Sequence, residues 1–205
     1  MQIKATNLKY QNPLIPLNLE KVIFIILHHA DAVTATPEQI HSWHIANGWN
    51  GFGYNEYIRK DGTIYIGRGD NIGAQCANMN SKSYGICCEG DFSRETDMPE
   101  AQFASLVERI KYNKARFKNC VEVALHSKFY NTDCPGKYFP FRSVLEALNP
   151  KPDELHVAVD MLVKMGIINS PDYWLENAIK GKTVDGDYAG ALIKKMAIKL
   201  GAVFP

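Results

Sequence analysis

KVIFIILHH, residues Lys21 to His29, is a continuous apolar run of Val, Ile, Phe and Leu that ends in two histidines. A run of this kind suits a strand buried on both faces. Outward from it, TPEQIHSWHIANG predicts a helix. Thr36 can cap it, Pro37 fits its first turn, Ile40, Trp43 and His44 share one side, and Gly48 can stop it. YNEYIRK and TIYIGR flank Asp61-Gly62, a hairpin signal, and residues 84–89 read as a short strand. Pro99 to Asn119 carries Phe103, Leu106, Val107, Ile110 and Phe117 at helical spacing. VEVAL at 121–125 is a strand reaching His126, and 140–148 a further helix. Strands and helices thus alternate, which implies an α/β fold with a mixed central sheet flanked by helices.

Beyond the Pro-flanked stretch Asn149-Pro150-Lys151-Pro152 no strand pattern appears. Glu154–Met165, Pro171–Ile179 and Tyr188–Leu200 read as three short helices, so the expected organisation is a domain at 1–149 and a small all-α module at 153–205. MLVKMGII (161–168) and MAIKLGAV (196–203) echo each other, each ending a helix at Gly, but two copies make no repeat architecture. The module's aromatics Tyr173, Trp174 and Tyr188 suit either a small core or sugar stacking.

The 205 residues are 46% apolar and 22% charged, a globular composition. Lys plus Arg number 23 against 22 acids, so there is no global pull toward nucleic acid. No run approaches a membrane span, and no export signal is visible, so synthesis in the cytoplasm and reduced cysteines are expected.

Two predicted strands run into histidine, His28 and His126, and strand ends are where an α/β scaffold usually places its chemistry. Eight residues after His126 stands Cys134, in Thr132-Asp133-Cys134-Pro135-Gly136, where Pro and Gly predict a tight turn. Two imidazoles and a thiolate suit zinc and leave a fourth position for water. Six histidines and five cysteines also make chance triples easy, so spacing alone leaves a structural reading open.

ILHHA, IHSWHIANGW, GFGYNEYIRKDGTIYIGR, NMNSKSYGICCEGDF and HSKFYNTDCPG occur in the order found in a known family. From about Lys21 to Phe141 the chain resembles the zinc-dependent N-acetylmuramoyl-L-alanine amidases of the phage-lysozyme, autolysin and peptidoglycan-recognition-protein group. The resemblance implies zinc ligands at His28, His126 and Cys134, an active-site tyrosine at Tyr54, and an oxyanion donor at Thr132. Thr132 stands where the phage-lysozyme branch has lysine and the recognition-protein branch threonine. Asn80 matches a family asparagine in the substrate loop. Gln75 stands where a histidine is often found; either residue contacts substrate or is an ordinary loop polar group.

His29, His41, His44 and His156 read as packing residues, Cys87 and Cys88 as strand interior, and Glu89 as a solvated turn acid. The implied activity is hydrolysis of the muramoyl–L-alanine amide of peptidoglycan, with zinc as the metal and the bacterial wall as partner. A phage or prophage endolysin, made in the host cytoplasm and acting on the wall after release, fits best. A non-catalytic peptidoglycan-binding protein is the alternative, and a closed structural zinc site a third reading. Self-association through the C-terminal helices stays open.

Overall fold

The computed structural model describes residues 2–119, 121–150 and 153–203. Cys120, together with Lys151 and Pro152 of the expected linker, lies outside the described residues, as do Met1, Phe204 and Pro205. Two compact units result, Met1–Asn149 and Pro150–Pro205.

The first unit is built on a six-stranded sheet. Its strands are β1 (Ile3–Ala5), β2 (Phe24–His29), β3 (Glu56–Ile58), β4 (Ile64–Ile66), β5 (Ser83–Cys88) and β6 (Glu122–Leu125), in the order β1-β4-β3-β5-β2-β6. Among the strand pairs of the described residues only the β3–β4 hairpin is antiparallel; β2 lies between β5 and β6, parallel to both. The mixed sheet is the architecture that the alternating pattern predicts.

Three helices cover the sheet: α1 (Pro37–Ala46), α2 (Glu100–Arg116) and α3 (Phe141–Leu148). Side chains alternate along a strand, so each residue's parity sets its face. Ile25 and Leu27 join Leu106 and Ile110 of α2 and Val144 of α3 in the larger core. Tyr57 and Cys87 pack with Ile40 of α1 on the other side. His28 stands in register with Cys87 and so belongs to the α1 face, whereas His29 pairs with Cys88 and faces the other way.

Local chemistry explains the boundaries. Thr36 and Gln39 form a reciprocal capping box at the start of α1, and Pro37 sits in its first turn. The run that predicts a strand from Lys21 becomes one only at Phe24. Leu19–Lys21 forms a short 3-10 turn, with Asn18 accepting from the Glu20 N–H. His126 is not within its strand; it opens a 3-10 turn just after β6. The edge strand β1 carries no pattern that predicts it, because all three of its residues are exposed.

The second unit contains α4 (Glu154–Lys164), α5 (Pro171–Asn177) and α6 (Gly186–Lys199) around Val159, Ile167, Ile168 and Trp174. The echoed segments are two copies of one helix stop. Gly166 and Gly201 take positive φ, and the following residue donates back to Leu162 O and Ala197 O respectively, both at 2.9 Å. Trp174 is a core residue here, while Tyr173 stacks on half-exposed Tyr188 at 4.0 Å. No helix among the described residues is long and apolar enough to cross a membrane.

Candidate metal centre and active-site cleft

At the C-terminal ends of β2 and β6 the first unit opens into a cleft of about 620 Å³. His28, His126 and Cys134 meet there, with one ligand atom of each within 4.8 Å of the others. The Nδ1 of His28 lies 3.6 Å from Cys134 Sγ. Two ligands of one tetrahedral zinc, with bonds of about 2.0 and about 2.3 Å, stand about 3.5 Å apart, so the donor pair fits that ion. The rings of His28 and His126 are 4.5 Å apart.

The turn carrying Cys134 is held from behind by Gly136. Its φ is 95°, and a Cβ there would stand 2.3 Å from the Phe92 carbonyl carbon, so only glycine lets the two backbones approach. Tyr138 N–H then donates to Phe92 O at 2.9 Å.

Electrostatics prepare the donors unequally. Burial, helped by the neighbouring His126, pulls His28 down to about 3, so the ring is neutral and keeps a lone pair at neutral pH. Burial pushes the Cys134 thiol up to about 12, against a hydrogen bond from the His29 backbone that favours the thiolate. A cation at this point supplies what the thiol lacks, since a coordinating thiol gives up its proton.

Tyr54 and Thr132 line the same cleft. The Tyr54 ring lies 5.2 Å from that of His28, and burial, with Cys87 and Cys134 adding to it, raises the phenol well above its usual range. It therefore keeps its proton. Thr132 Oγ1 accepts from the Cys134 N–H at 3.2 Å, which leaves its own hydrogen free to donate.

The loop residues are placed differently from one another. Gln75 is buried, with Oε1 against His28 Nε2 and Nε2 against Ser83 Oγ. Asn80 Oδ1 accepts from the N–H groups of Gln75 and Cys76 at 2.9 and 3.0 Å, so this oxygen organises the loop.

A model of the family described as N-acetylmuramoyl-L-alanine amidase matches residues 18–137, more than half of the chain. The chain belongs to the N-acetylmuramoyl-L-alanine amidase family. The endolysin of Klebsiella phage KP32 is 32% identical over 110 residues, which cover 49% of this chain and 73% of the phage protein. Peptidoglycan-recognition protein LB of Drosophila melanogaster is 34% identical over 128 residues, 55% of this chain and 54% of that protein; the chain thus spans about half of that relative's length. Among solved structures, the N-acetylmuramoyl-L-alanine amidase LysC from Clostridium intestinale URNW superposes with a TM-score of 0.67 at 32% identity. That alignment covers 74% of this chain and 99% of LysC.

Several features of the amidase unit have no counterpart in the sequence reading. Glu89 is not a solvated turn acid: it is buried and accepts from Arg59 Nε and Nη2, Thr34 Oγ1 and the N–H groups of Ala35 and Lys60. Burial would raise its carboxyl, but these donors together hold it below its ordinary value. His44 contributes to the cleft wall as well as to packing. Its Nδ1 accepts from Gly53 N–H at 3.1 Å, and its ring lies 5.7 Å from that of Tyr54. Trp43 and Trp49, 45% and 51% exposed, line the same wall. The tryptophans stand on and just beyond α1, where helical spacing alone marks packing. Their place in the family's WH…GW block was the available signal. His29 is buried, its Nδ1 accepting from Phe92 N–H at 3.1 Å, and it also borders the cleft.

Proposed function

We propose that the first unit hydrolyses the amide between the muramic lactyl group and L-alanine of peptidoglycan, with zinc held by His28, His126 and Cys134. The observation that carries this reading is the convergence of two imidazoles and one thiol in an open cleft, inside a chain of the amidase family. Bound there, zinc acts as a Lewis acid and brings the pKa of a water near neutrality, about 7.

The chain's own groups do the rest. Neutral His28 offers a lone pair without first losing a proton. Addition of hydroxide to the lactyl carbonyl carbon places negative charge on the carbonyl oxygen, and the Tyr54 phenol and Thr132 hydroxyl donate to that oxyanion. The carbon–nitrogen bond then breaks as the proton of the added hydroxyl passes to the alanine nitrogen, which leaves a free lactyl carboxylate and a new alanine amine. Asn80 Nδ2 remains available to substrate. The same cleft would serve a binding protein without hydrolysis, but such a role does not need the thiol.

The second unit we assign to wall attachment, or to pairing with another copy, with Tyr188 as the exposed aromatic. The whole protein then acts as an endolysin-like enzyme on the bacterial wall after release from the cell that makes it. The test is to digest purified walls and assay free lactyl groups together with new alanine N-termini. Both should appear with the wild type, and neither with Cys134→Ala or after chelation. Wall binding without new termini would favour the non-catalytic reading.

A further inference from the structure

Gln75 is 8% exposed at the floor of the cleft, and each of its amide atoms already has a protein partner. The polarity of this network is set at its far end. The Ser83 hydroxyl has one hydrogen, which it donates to the Met79 carbonyl at 2.8 Å, an atom that can only accept. Ser83 Oγ therefore turns a lone pair toward Gln75, so the group facing it at 2.8 Å is the NH₂. The oxygen at the other side of the amide then faces His28 Nε2, at 2.5 Å. An acceptor opposite Nε2 requires hydrogen on that nitrogen. In a neutral imidazole this leaves the lone pair on Nδ1, the atom that faces Cys134 Sγ.

The amide is also fixed in place. Gln75 N–H is held by Asn80, and the side chain fills a slot that two glycines leave open. A Cβ on Gly85 of β5 would stand 2.7 Å from Gln75 Cγ, and one on Gly73 would stand 3.1 Å from it. A Cβ on Gly85 would have to displace the Gln75 side chain, and one on Gly73 would press it by a few tenths of an ångström, so the two glycines leave the slot that Gln75 fills.

We infer that Gln75 is a positioning residue that selects the Nε2–H tautomer of His28 and aims Nδ1 at the metal centre, through the chain Met79–Ser83–Gln75–His28. This gives the residue a different role from the substrate contact that its place in the loop suggested. The inference rests on the zinc reading above. Outer-shell partners of metal-bound histidines typically account for about 10–100-fold in metal affinity.

The test compares the wild type with Gln75→Met, which fills the slot without either polar atom, and with Gln75→Glu, which keeps the acceptor. The His28 tautomer in the metal-free protein is read by long-range ¹H–¹⁵N NMR, and zinc affinity by competition with a chelator. Wild type and Gln75→Glu should both carry hydrogen on Nε2 and bind zinc comparably. Gln75→Met should lose the tautomer preference and bind zinc about 10–100-fold more weakly. Ser83→Ala, which never touches His28, should shift both readouts in the same direction by less, and it serves if Gln75→Met does not fold. Unchanged tautomer and affinity in Gln75→Met, or in Ser83→Ala where that replaces it, would overturn the inference. A wild-type protein that takes up no zinc would instead overturn the metal reading.

Discussion

Tyr54 and Glu89 show how one side chain's surroundings set what it can do. The phenol of Tyr54 is pushed above its usual range by burial, so at neutral pH it is a donor rather than a base. Tyr54→Phe should lower wall hydrolysis by about 10²-fold, as expected for loss of one oxyanion donor, with zinc affinity by chelator competition nearly unchanged. Full activity in Tyr54→Phe would return the residue to packing. Thr132→Val, removing the weaker donor, should cost less in the same assay. Glu89 is the opposite case, a carboxyl held below its ordinary value of 4.5 by Arg59 and three further donors. Its folded pKa lies below its unfolded one, so its contribution is complete above about 4.5 and fades as pH falls through the folded value. Glu89→Gln should therefore destabilise by about 1.5–3 kcal/mol at pH 7 in urea unfolding. The gap to wild type should narrow as pH falls below 4.5; a gap independent of pH would mean that the charge on Glu89 plays no part.

Among the elements, α2 is tied to the sheet by more than its apolar stripe. Arg109 donates to both oxygens of Glu56 in β3, at 2.8 and 2.6 Å, and Asn113 and Tyr84 complete the carboxylate's partners. Removing one member of a buried pair costs about 3–5 kcal/mol, because the other charge stays behind unpaired. Arg109→Met should show a loss of that size in urea unfolding, whereas Glu56→Gln with Arg109→Met together should recover part of it. Additive losses in the double variant would show that the two residues do not act as a pair. The helix itself was legible, since Phe103, Leu106, Val107 and Ile110 mark its inner face at helical spacing. Arg109 was not, because on that spacing it reads as a solvated charge and its partner lies 53 residues away. The same limit hid the role of Gln75, which was singled out only as a substrate contact, because its partners His28 and Ser83 sit on two different strands. Local patterns reveal periodicity and turns; the edge strand β1 has neither, with Ile3 49% exposed and three residues in all.

At the scale of the whole molecule, the chemistry and the attachment proposed here fall in different units. The larger core lies between the sheet and α2 and α3, so the first unit is expected to assemble without a metal. Chelation should abolish hydrolysis while far-ultraviolet circular dichroism changes little, and loss of helical signal on chelation would contradict this. The family match stops at residue 137, well before the second unit. Among its described residues that unit's core holds four buried side chains, and Met161, Ile193, Met196 and Ile198 remain exposed. A unit of about 50 residues seldom stabilises itself by its core alone, and uncovered apolar side chains in that number are what a binding surface presents. If it binds the wall, it adds an attachment point that raises the local concentration of the cleft at its substrate, without touching the reacting bond. Deleting everything after Pro150 should then reduce sedimentation with intact walls while a soluble muropeptide is cleaved at close to the full rate. Equal losses in both assays would make the helices part of the catalytic fold. A truncated chain that still sediments with walls, but runs as a monomer in light scattering where the full chain runs as a dimer, would assign them to self-association instead.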